Sequence, residues 1–400
     1  MSLCDVVQFF PFSQQYQFNS PCRKGALSLS KILQFGTGRF LRGFFAPVID
    51  DPRSIVVVQS RIQSSGASIL NAHLPGSNNE YHVWTRGKQN GEVVDEFEVV
   101  RSLDRAVVAH EQWEELVKIA TSDQLELIVS NTTEAGLTLE SSDDAIADFT
   151  SQCPVSFPAK LTALLFVRFK AGLGGLTILP LELVEFNANR LQELVLEQTQ
   201  KWQQTNTGEF NDWLRTENRW LNNLVDRIVT SVSDTPPWQN DDPLAVVGEP
   251  FRMLAIEDDK NDRTVLPDHP MIQWVDDLQR VFVRKVRILN GLHTAMVAHS
   301  LPRGFETVLD AITDQAERKW LDSLLQDEIL PALSARGIEE SDFAKDVIER
   351  FENPFFKHRL ADIANGHAKK LTTRIQPTID DFRKAFGREP EKLCEVMASR

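Results

Sequence analysis

The sequence predicts an α/β N-terminal domain of the Rossmann type followed by a mostly α-helical C-terminal domain. Near the start, an apolar run at 31–35 ends at a glycine turn, and a helical segment and a β-branched run at 54–58 follow. Strand, helix and strand in this order are typical of a βαβ unit. Beyond about residue 273, β-branched runs become rare and helical periodicity continues to the C-terminus. We therefore predict two domains, 1–278 and 279–400.

The remaining elements of the first domain follow from shorter patterns. Three further apolar runs predict strands: 125–129, 177–183 and 244–247. The segment 156–170 begins with Ser-Phe-Pro and predicts a helix, since serine is a favoured cap and proline is favoured in the first turn. The run at 125–129 is followed by small polar residues that include Asn131 and Thr132. These predict a loop that approaches a ligand closely.

The composition is that of a globular protein. A chain of 400 residues with 42% hydrophobic and 25% charged content is long enough for two cores of ordinary size. The 57 acidic residues outnumber the 43 basic ones, which gives a formal net charge of −14. A field of this sign repels nucleic acid and anionic membrane surfaces, so we expect neither as a partner. A small anionic ligand is still compatible with it, because local cations outweigh a distant net charge that salt screens.

The cysteines and the N-terminus bear on the location of the protein. Cys4, Cys22, Cys153 and Cys394 form no CxxC pair, so neither a zinc knuckle nor a redox dithiol is predicted. The N-terminus lacks a basic segment followed by an apolar one, and no stretch reaches the ~18 apolar residues of a membrane span. We therefore expect a cytoplasmic protein with reduced thiols.

A glycine turn between a strand and a helix predicts a dinucleotide site in the first domain. Gly36 and Gly38 match the first two positions of the fingerprint, whereas Leu41 occupies the third, where glycine or alanine is usual. An ordinary tight turn is an equal alternative for this pattern alone. At the end of the second strand, Gln59 stands where an acidic residue usually holds the ribose of NAD, and Arg61 would suit the 2′-phosphate of NADP. The sequence leaves the choice between the two cofactors open.

The most informative polar residues, Lys285, Asn290 and His293, lie in one helical segment. At about 100° per residue, Asn290 lies ~140° and His293 ~80° round the helix from Lys285, so all three occupy one side. A buried lysine gives a proton to a forming alkoxide and takes it back, an asparagine amide stabilises the negative oxygen, and a histidine orients either group. A solvated helix surface is the alternative that the spacing alone does not exclude.

Several longer motifs lie in a fixed order along the chain. They read FGTGRFLR at 35–42, TRG at 85–87, SNTTEAG at 130–136, SFPAKLT at 156–162, LVDRIV at 224–229, VGEPF at 247–251, KVRILNGLH at 285–293 and NPFFKHR at 353–359. From about residue 31 to 377, the chain resembles the long-chain polyol dehydrogenases of the mannitol dehydrogenase family. The resemblance implies a Rossmann-type domain, a helical domain and an active-site cleft between them.

The resemblance also implies the residues of the site. Lys285 is the expected acid and base of a reaction that uses no metal, with Asn290 and His293 beside it. NAD(H) is the expected cofactor, and NADP(H) is not excluded. The residues expected to contact the cofactor are Phe35, Gly36, Gly38, Arg39, Phe40, Gln59, Asn131 and Thr132. Asn187 and Asp226 match positions near the substrate.

Two departures from the family pattern bear on the substrate. Leu183 and Asp362 stand where the mannitol enzymes have an asparagine and an arginine, which argues against mannitol itself. The motifs at 130–136 and 285–291 are similar to those of the uronate-reducing branch. The expected partner is therefore a small sugar acid, the keto-uronate tagaturonate, which would be reduced to altronate and reformed in the reverse reaction. The cations expected to bind its carboxylate are Arg359, Lys370 and Arg374.

Three other functions stay open on the sequence alone. A fructuronate reductase or a mannitol-type ketose dehydrogenase would apply the same residues to another substrate. A nucleotide-binding sensor would keep the fold without turnover, although the intact set of Lys285, Asn290 and His293 speaks against it. A helical interaction module in the C-terminal part alone is the third. The sequence makes no prediction of the oligomeric state.

Overall fold

The computed structural model describes residues 31–205, 207–261 and 263–399. The N-terminal leader, with Cys4 and Cys22, lies outside these residues. Within them the strands are β1 (Ile32–Phe35), β2 (Ile55–Gln59), β3 (Tyr81–Gln89), β4 (Glu92–Val100), β5 (Leu103–Val108), β6 (Leu127–Ser130), β7 (Thr177–Pro180), β8 (Arg219–Trp220), β9 (Asn223–Asp226), β10 (Val229–Ser231), β11 (Val246–Gly248), β12 (Met253–Glu257) and β13 (Ile272–Val275).

The helices of the same residues fall into two groups along the chain. Those of the N-terminal half are α1 (Arg39–Phe44), α2 (Gly66–His73), α3 (Trp113–Ala120), α4 (Phe157–Lys170), α5 (Asn187–Lys201) and α6 (Gly208–Thr216). Those of the C-terminal half are α7 (Leu278–Arg284), α8 (Gly291–His299), α9 (Val308–Thr313), α10 (Gln315–Leu324), α11 (Leu330–Ser334), α12 (Ser341–Phe351), α13 (Leu360–Ile363), α14 (His367–Lys370), α15 (Gln376–Phe386) and α16 (Glu391–Met397). Segments of π-helix connect some of the latter, at Lys285–Asn290, Leu325–Ile329 and Leu371–Ile375.

A six-stranded parallel sheet forms the centre of the N-terminal half, in the order β5-β2-β1-β6-β7-β8. β1 pairs in parallel with both β2 and β6, so the chain leaves β1 towards one edge and returns beside it before continuing towards the other. Loops at the carboxyl ends of the strands diverge at such a reversal and leave a crevice for a ligand. The predicted α/β domain of the Rossmann type is confirmed.

Both faces of this sheet are buried, which explains why its strands appear in the sequence as continuous apolar runs. Successive residues of β1 point to opposite faces. Leu33 and Phe35 pack with α3, α4, α5 and α6 on one face. Ile32 packs on the other face with α1, α2 and two smaller sheets.

The two smaller sheets were not predicted from the sequence. Their strand orders are β10-β11-β3-β4 and β13-β12-β9. β3 and β4 form a long antiparallel hairpin, and β4 is exposed along most of its length, so it contains many polar residues and no buried apolar run. These sheets position two acidic residues described below, because Asp226 is the last residue of β9 and Glu249 directly follows β11.

The C-terminal half is helical, as predicted, and its helices pack around an apolar core of their own. Helix α7 begins at Leu278, three residues after β13 ends at Val275. The domain boundary near residue 278 stays a prediction, because α7 also contacts β9 and β12 of the preceding half.

The glycine turn after β1 depends on one of its two glycines for its backbone conformation. Gly36 has a φ of +128°, which residues with a side chain rarely adopt. A Cβ atom there would lie 3.0 Å from the carbonyl oxygen of Asn131 and 3.1 Å from Cδ1 of Leu41. Gly38 has an ordinary φ of −70°, and a Cβ atom there would have no protein atom within 4 Å. The fold therefore requires the first glycine and not the second.

We expect Gly36→Ala to lower the free energy of unfolding by about 1–3 kcal/mol, because it combines a disfavoured φ with a close backbone contact. Gly38→Ala is the matched control and should leave stability within about 0.5 kcal/mol. Urea unfolding of both variants, followed by circular dichroism, measures the difference. Equal stability of the two variants would contradict the role assigned to Gly36.

Candidate active site

A cavity of about 360 Å³ lies where the end of β9 meets the helices of the C-terminal half. The polar side chains that line it include Asp226, Lys285, Asn290, His293, Lys370 and Arg374. The structure thus brings the three residues predicted from the helical segment together with three predicted substrate residues, Asp226 from the N-terminal half and Lys370 and Arg374 from the C-terminal half. Charged groups of both signs and a volume of this size suit a small polar ligand.

The backbone of the lysine segment differs from the α-helix expected from the sequence. Lys285 and Asn290 are the first and last residues of a π-helical segment. A π turn closes between residues five apart, whereas an α turn closes between residues four apart, so the π turn holds one more residue. An α-helix separates residues with the spacing of Lys285 and Asn290 by ~140° around its axis. In the wider π turn the two residues lie on the same face. The predicted angle is wrong, and the correction moves the amide towards the face of the amine.

The amine of Lys285 is held by two oxygen atoms from the strand β9. Its Nζ donates a hydrogen bond to the carbonyl oxygen of Val225 at 2.8 Å and lies 3.5 Å from Oδ1 of Asp226. Burial lowers the pKa of Lys285, and the positive charge of Arg350 adds to this, while Asp226 opposes both without cancelling them. The amine is therefore easier to deprotonate than an ordinary lysine.

Asp226 is an ionised carboxylate despite its burial. Burial alone would raise its pKa, but the charges of Lys285 and Arg350 outweigh burial and lower it. Arg350, from helix α12, binds both carboxylate oxygens, at 3.0 and 3.1 Å. The same guanidinium binds Glu249 at 2.9 and 2.7 Å.

Asn290 and His293 offer groups that no other described side chain uses. Within the described part of the chain, the side-chain amide of Asn290 makes no hydrogen bond, and it lines the cavity. His293 is buried, with its ring centre 4.5 Å from that of Phe351 and 4.7 Å from that of His358. Its Nε2 atom is buried without a partner among the described residues. Burial, His358 and Arg350 lower the pKa of His293 well below its ordinary value, so the ring is neutral near pH 7.

Two further cations, Lys370 and Arg374, line the cavity. Lys370 ends α14, and Arg374 lies in the π-helical segment that follows. Lys370 Nζ donates to the carbonyl oxygen of Ile363 at 2.6 Å, and Arg374 Nη1 approaches Oγ1 of Thr294 at 3.5 Å. No described carboxylate forms an ion pair with either of them, which makes this part of the cavity suitable for an anion.

Two residues predicted to bind substrate lie elsewhere. Asn187 is fully buried, and its amide donates to the carbonyl oxygens of Pro180 and Glu182 at 2.8 and 3.1 Å. It therefore joins α5 to the end of β7. Arg359 is exposed at the start of α13 and does not line the cavity. Neither side chain lines the cavity, and substrate binding by these two residues stays a prediction.

The side chains predicted at the cofactor edge mostly hold the loops of that edge. Gln59 makes three hydrogen bonds, to the backbone of Arg61, Ser64 and Ala67 at 3.1, 2.9 and 2.8 Å. These bonds fix the loop after β2, while Arg61 is exposed. Binding of Gln59 to a ribose therefore stays a prediction, and its observed function is to shape the loop.

The loop after β6 is fixed in a similar way. Asn131 donates to the carbonyl oxygen of Leu181 at 2.7 Å. Thr132 donates to the buried carboxylate of Glu182 from its backbone nitrogen at 2.8 Å and from its hydroxyl at 2.9 Å. The open space at Gly38 leaves main-chain groups of the glycine turn accessible in the crevice expected at this reversal of strand order. A pyrophosphate is the group that such a crevice fits.

The other residues predicted around the glycine turn have different environments. The side chain of Phe35 is fully buried under the sheet, so only its backbone reaches the crevice. Phe40 stacks on Phe44 with ring centres 4.8 Å apart. Arg39 is exposed at the first position of α1, where its guanidinium is available to an anion. Their contact with a cofactor stays a prediction.

A second cavity of about 490 Å³ adjoins the first and shares Lys285, Asn290 and Arg374 with it. Its rim includes Leu183 and Phe186, whose side chains are exposed. Phe186 adopts a left-handed conformation with a φ of +51°, which is unfavourable for a bulky residue and typical of functional loops. The apolar rim offers contact area for a ligand that extends beyond the first cavity.

The sequence did not single out three residues of the site, namely Glu249, Arg350 and His358. Glu249 and His358 lie inside the motifs at 247–251 and 353–359, so motif membership was a usable signal for them. Arg350 lies outside every motif. Its position becomes informative only in the folded chain, where α12 packs against the π-helical segment that contains Lys285.

Neither a metal-binding cluster nor a membrane-spanning helix occurs among the described residues. No three side chains of His, Cys, Asp or Glu in this part of the chain are grouped so that they could hold a metal ion. In the same part, every helix is too short or too polar to cross a lipid bilayer.

Comparison with known proteins gives matches over nearly the whole chain. The family model described as the mannitol dehydrogenase Rossmann domain matches residues 30–267, and that of the mannitol dehydrogenase C-terminal domain matches 277–400. The altronate oxidoreductase of Halalkalibacterium halodurans is 37% identical over 92% of this chain and 74% of its own. That of Bacillus subtilis is 36% identical over 91% of this chain and 77% of its own.

Two solved structures have a similar fold. Substrate-free D-sorbitol dehydrogenase aligns with a TM-score of 0.75 at 21% identity, over 93% of this chain and 80% of its own. Mannitol 2-dehydrogenase of Pseudomonas fluorescens, solved with NAD and D-mannitol, aligns with a TM-score of 0.70 at 21% identity, over 93% of this chain and 78% of its own.

The neutral, buried state of His293 makes stability depend on pH. Its pKa is far below the ordinary 6.5, so below that pH the unfolded chain binds a proton that the folded chain does not. The stabilisation is complete above pH 6.5 and is lost as the pH falls towards the folded pKa. We expect the wild-type free energy of unfolding to fall by roughly 1 kcal/mol more than that of His293→Asn between pH 6.5 and 5.5. Parallel urea-unfolding curves for the two proteins across this range would contradict the assignment.

Proposed function

The chain belongs to the mannitol dehydrogenase family, and from this premise we propose that it is an NAD(H)-dependent oxidoreductase that interconverts tagaturonate and altronate. Similarity to altronate oxidoreductases over 92% and 91% of the chain supports a sugar acid as the substrate class. One observation carries the chemistry. The buried amine of Lys285 lines the cavity, and a carbonyl and a carboxylate oxygen hold it there.

The glycine turn after β1 supports a dinucleotide as cofactor. Gly36 has no side chain, and the space beside Gly38 is open. A pyrophosphate can therefore approach the main-chain groups of the turn closely. NADH supplies the hydride when it is bound. Gln59 at the end of β2 brings no positive charge for a 2′-phosphate, and this favours NADH over NADPH. The exposed Arg61 is the residue whose charge would favour NADPH instead.

Lys285 performs the proton transfer of the proposed reaction. As hydride reaches the carbonyl carbon, the electron pair of the C=O bond moves to the oxygen, which takes a proton from the ammonium of Lys285 and becomes the hydroxyl. The side-chain amide of Asn290 donates a hydrogen bond to the same oxygen while the negative charge develops there. In the reverse direction the neutral amine of Lys285 removes the hydroxyl proton as hydride leaves. No metal ion has a part in this mechanism.

The cations of the cavity that have no carboxylate partner among the described residues support a substrate with an acid group. A keto-uronate carries a carboxylate at the end of its carbon chain, and Arg374 and Lys370 line the cavity without a carboxylate partner among the described residues. Arginine binds a carboxylate through two parallel hydrogen bonds. We therefore assign substrate binding to Arg374, with Lys370 beside it. Asp362, which stands where the mannitol enzymes have an arginine, lines the same cavity and disfavours an anion at its own position.

We expect Lys285→Met to lower the rate of tagaturonate reduction on the order of 10²–10⁴-fold while NADH still binds, because the variant keeps the volume of the side chain and loses its proton. Lys160→Met is the matched control. Lys160 is also a buried lysine that donates to a main-chain carbonyl, and it lies in α4 outside the cavity. Single-turnover rates and NADH fluorescence titrations of both variants measure the effect.

Three outcomes of these assays would overturn the proposed function. A Lys285→Met protein that folds and turns over normally would remove the amine from the mechanism. Activity that is lost with a chelator and restored by a divalent cation would contradict a mechanism without metal. If NADH binds and no keto-uronate, including fructuronate, and no ketose oxidises it, the protein is a nucleotide-binding sensor.

We expect Arg374→Met to raise the KM for tagaturonate roughly 10- to 100-fold, because it removes a charge-assisted hydrogen bond from the substrate carboxylate. Arg374→Lys keeps the charge and should recover part of the affinity. Fructose, which has no carboxylate, is the control substrate, and its KM should change little in either variant. A parallel change in the KM of both substrates would mean that Arg374 acts on the shape of the cavity and not on the acid group.

A further inference from the structure

Four charged side chains form a buried network where the two halves of the chain meet. Lys285 and Arg350 come from the C-terminal helices, Asp226 ends β9, and Glu249 directly follows β11. The network contains two positive and two negative groups, and its ion pairs have lengths of 3.5, 3.0 and 2.7 Å. Neither Arg350 nor Glu249 takes part in the proton transfer itself.

We propose that Arg350 and Glu249 are positioning residues that divide the negative charge of Asp226 and thereby set the proton affinity of Lys285. This inference rests on the proposed function, because it takes Lys285 as the acid and base. It adds two residues to the reaction that act on the amine through another carboxylate.

The geometry of Asp226 shows how its charge is divided. Arg350 binds its two oxygens with both terminal nitrogens, at 3.0 and 3.1 Å. Lys285 lies farther away, 3.5 Å from one of the same oxygens, and directs its shorter bond of 2.8 Å to the carbonyl of Val225. The carboxylate therefore interacts more strongly with the arginine than with the lysine. An ammonium that shares its counterion in this way is stabilised less than one in a full ion pair.

Glu249 holds the arginine in the orientation that this division requires. It accepts hydrogen bonds from Nε and Nη2 of Arg350 at 2.9 and 2.7 Å, and from the backbone nitrogen of Ile228 at 2.7 Å. Arg350 also lies over the ring of Phe251, with its Cζ 4.3 Å from the ring centre. With one side bound to Glu249 and a face on an aromatic ring, the guanidinium has little freedom to turn away from Asp226.

The signs of the two charges predict opposite effects on Lys285. Arginine stays protonated in proteins, so Arg350 is a permanent positive charge that disfavours the ammonium of Lys285. Glu249 is a second negative charge, which favours that ammonium. Loss of the charge of Arg350 should therefore raise the pKa of Lys285, and loss of the charge of Glu249 should lower it.

The other described charged and titratable groups around Lys285 form no ion pair with Asp226, although the charge of Arg350 adds to burial in lowering the pKa values of His293 and His358. Those that line the same cavity are His293, His358, Asp362, Lys370 and Arg374. Its neighbours Arg284 and Arg287 form ion pairs with Glu340 and Asp381. Among the described residues, only Lys285 and Arg350 form ion pairs with Asp226. Substitutions of Glu249 and Arg350 leave all the others in place.

The test compares Glu249→Gln with Arg350→Gln. We expect the pH midpoint of altronate oxidation, in which Lys285 must be neutral, to fall by about one unit in Glu249→Gln and to rise by about one unit in Arg350→Gln. Arg350→Lys restores the charge and should return the midpoint towards the wild-type value. If Arg350→Gln does not fold, Glu249→Gln and Arg350→Lys still test the proposal, with a fall expected in the first and a smaller rise in the second.

A second measurement reports on the amine without turnover. Acetic anhydride acetylates only neutral amines, so the pH at which Lys285 becomes half-reactive, followed by mass spectrometry of its peptide, should move in the same directions as the kinetic midpoint. Glu328→Gln is the control, since Glu328 is a buried glutamate that accepts the backbone nitrogens of Lys392 and Leu393 outside the cavity. It should lower stability and leave both midpoints unchanged.

Two results would overturn the inference. One is that folded Glu249→Gln and the folded Arg350 variants keep the wild-type midpoints. The other is that the midpoints move in the same direction in the glutamate and arginine variants, since general damage to the site would do this. Either result leaves the proposed function untouched if Lys285→Met is inactive, whereas an active Lys285→Met protein refutes the function itself.

Discussion

The ionised carboxylate of Asp226 is the interaction on which the rest of the site depends. It lies at the end of β9, buried where the strand meets the C-terminal helices, and two cations from those helices converge on it. A buried charge without a partner costs several kcal/mol, so the carboxylate and the two cations stabilise one another only when both halves are docked. The association of the halves and the charge state of the Lys285 amine therefore rest on the same contact.

Irregular helical turns place the reactive groups around this carboxylate. One π-helical segment aligns Lys285 with Asn290, and a second presents Arg374 to the same cavity. The two segments contact each other. A π turn is rare, since its hydrogen bonds close over an extra residue, and proteins use it mostly at functional sites. Here it brings residues five apart closer to one face of the segment than a regular α-helix would.

The charges of the cavity are arranged so that different groups serve different purposes. Arg350 is fully engaged by two carboxylates, whereas Arg374 and Lys370 meet none among the described residues. The first cation therefore acts on the protein's own groups, and the other two are available to a ligand. At the other end of the site, Gln59, Asn131 and Thr132 use their side chains on neighbouring loops and leave the crevice to main-chain groups. A cofactor that binds through its pyrophosphate needs little more.

The sequence by itself determined the fold class, the glycine turn and the set Lys285, Asn290 and His293, because buried strands, helical periodicity and ordered motifs are local patterns. Only the tertiary structure decided that the lysine segment is π-helical, since that turn has no local signal distinct from an α-helix. It also decided which charges meet. Arg350 contacts residues more than 100 positions away in the chain, and Asn187 and Arg359 lie away from the cavity for reasons of packing that no spacing records. Long-range ion pairs depend on the docking of the two halves, and for that reason their partners were visible only in the folded chain.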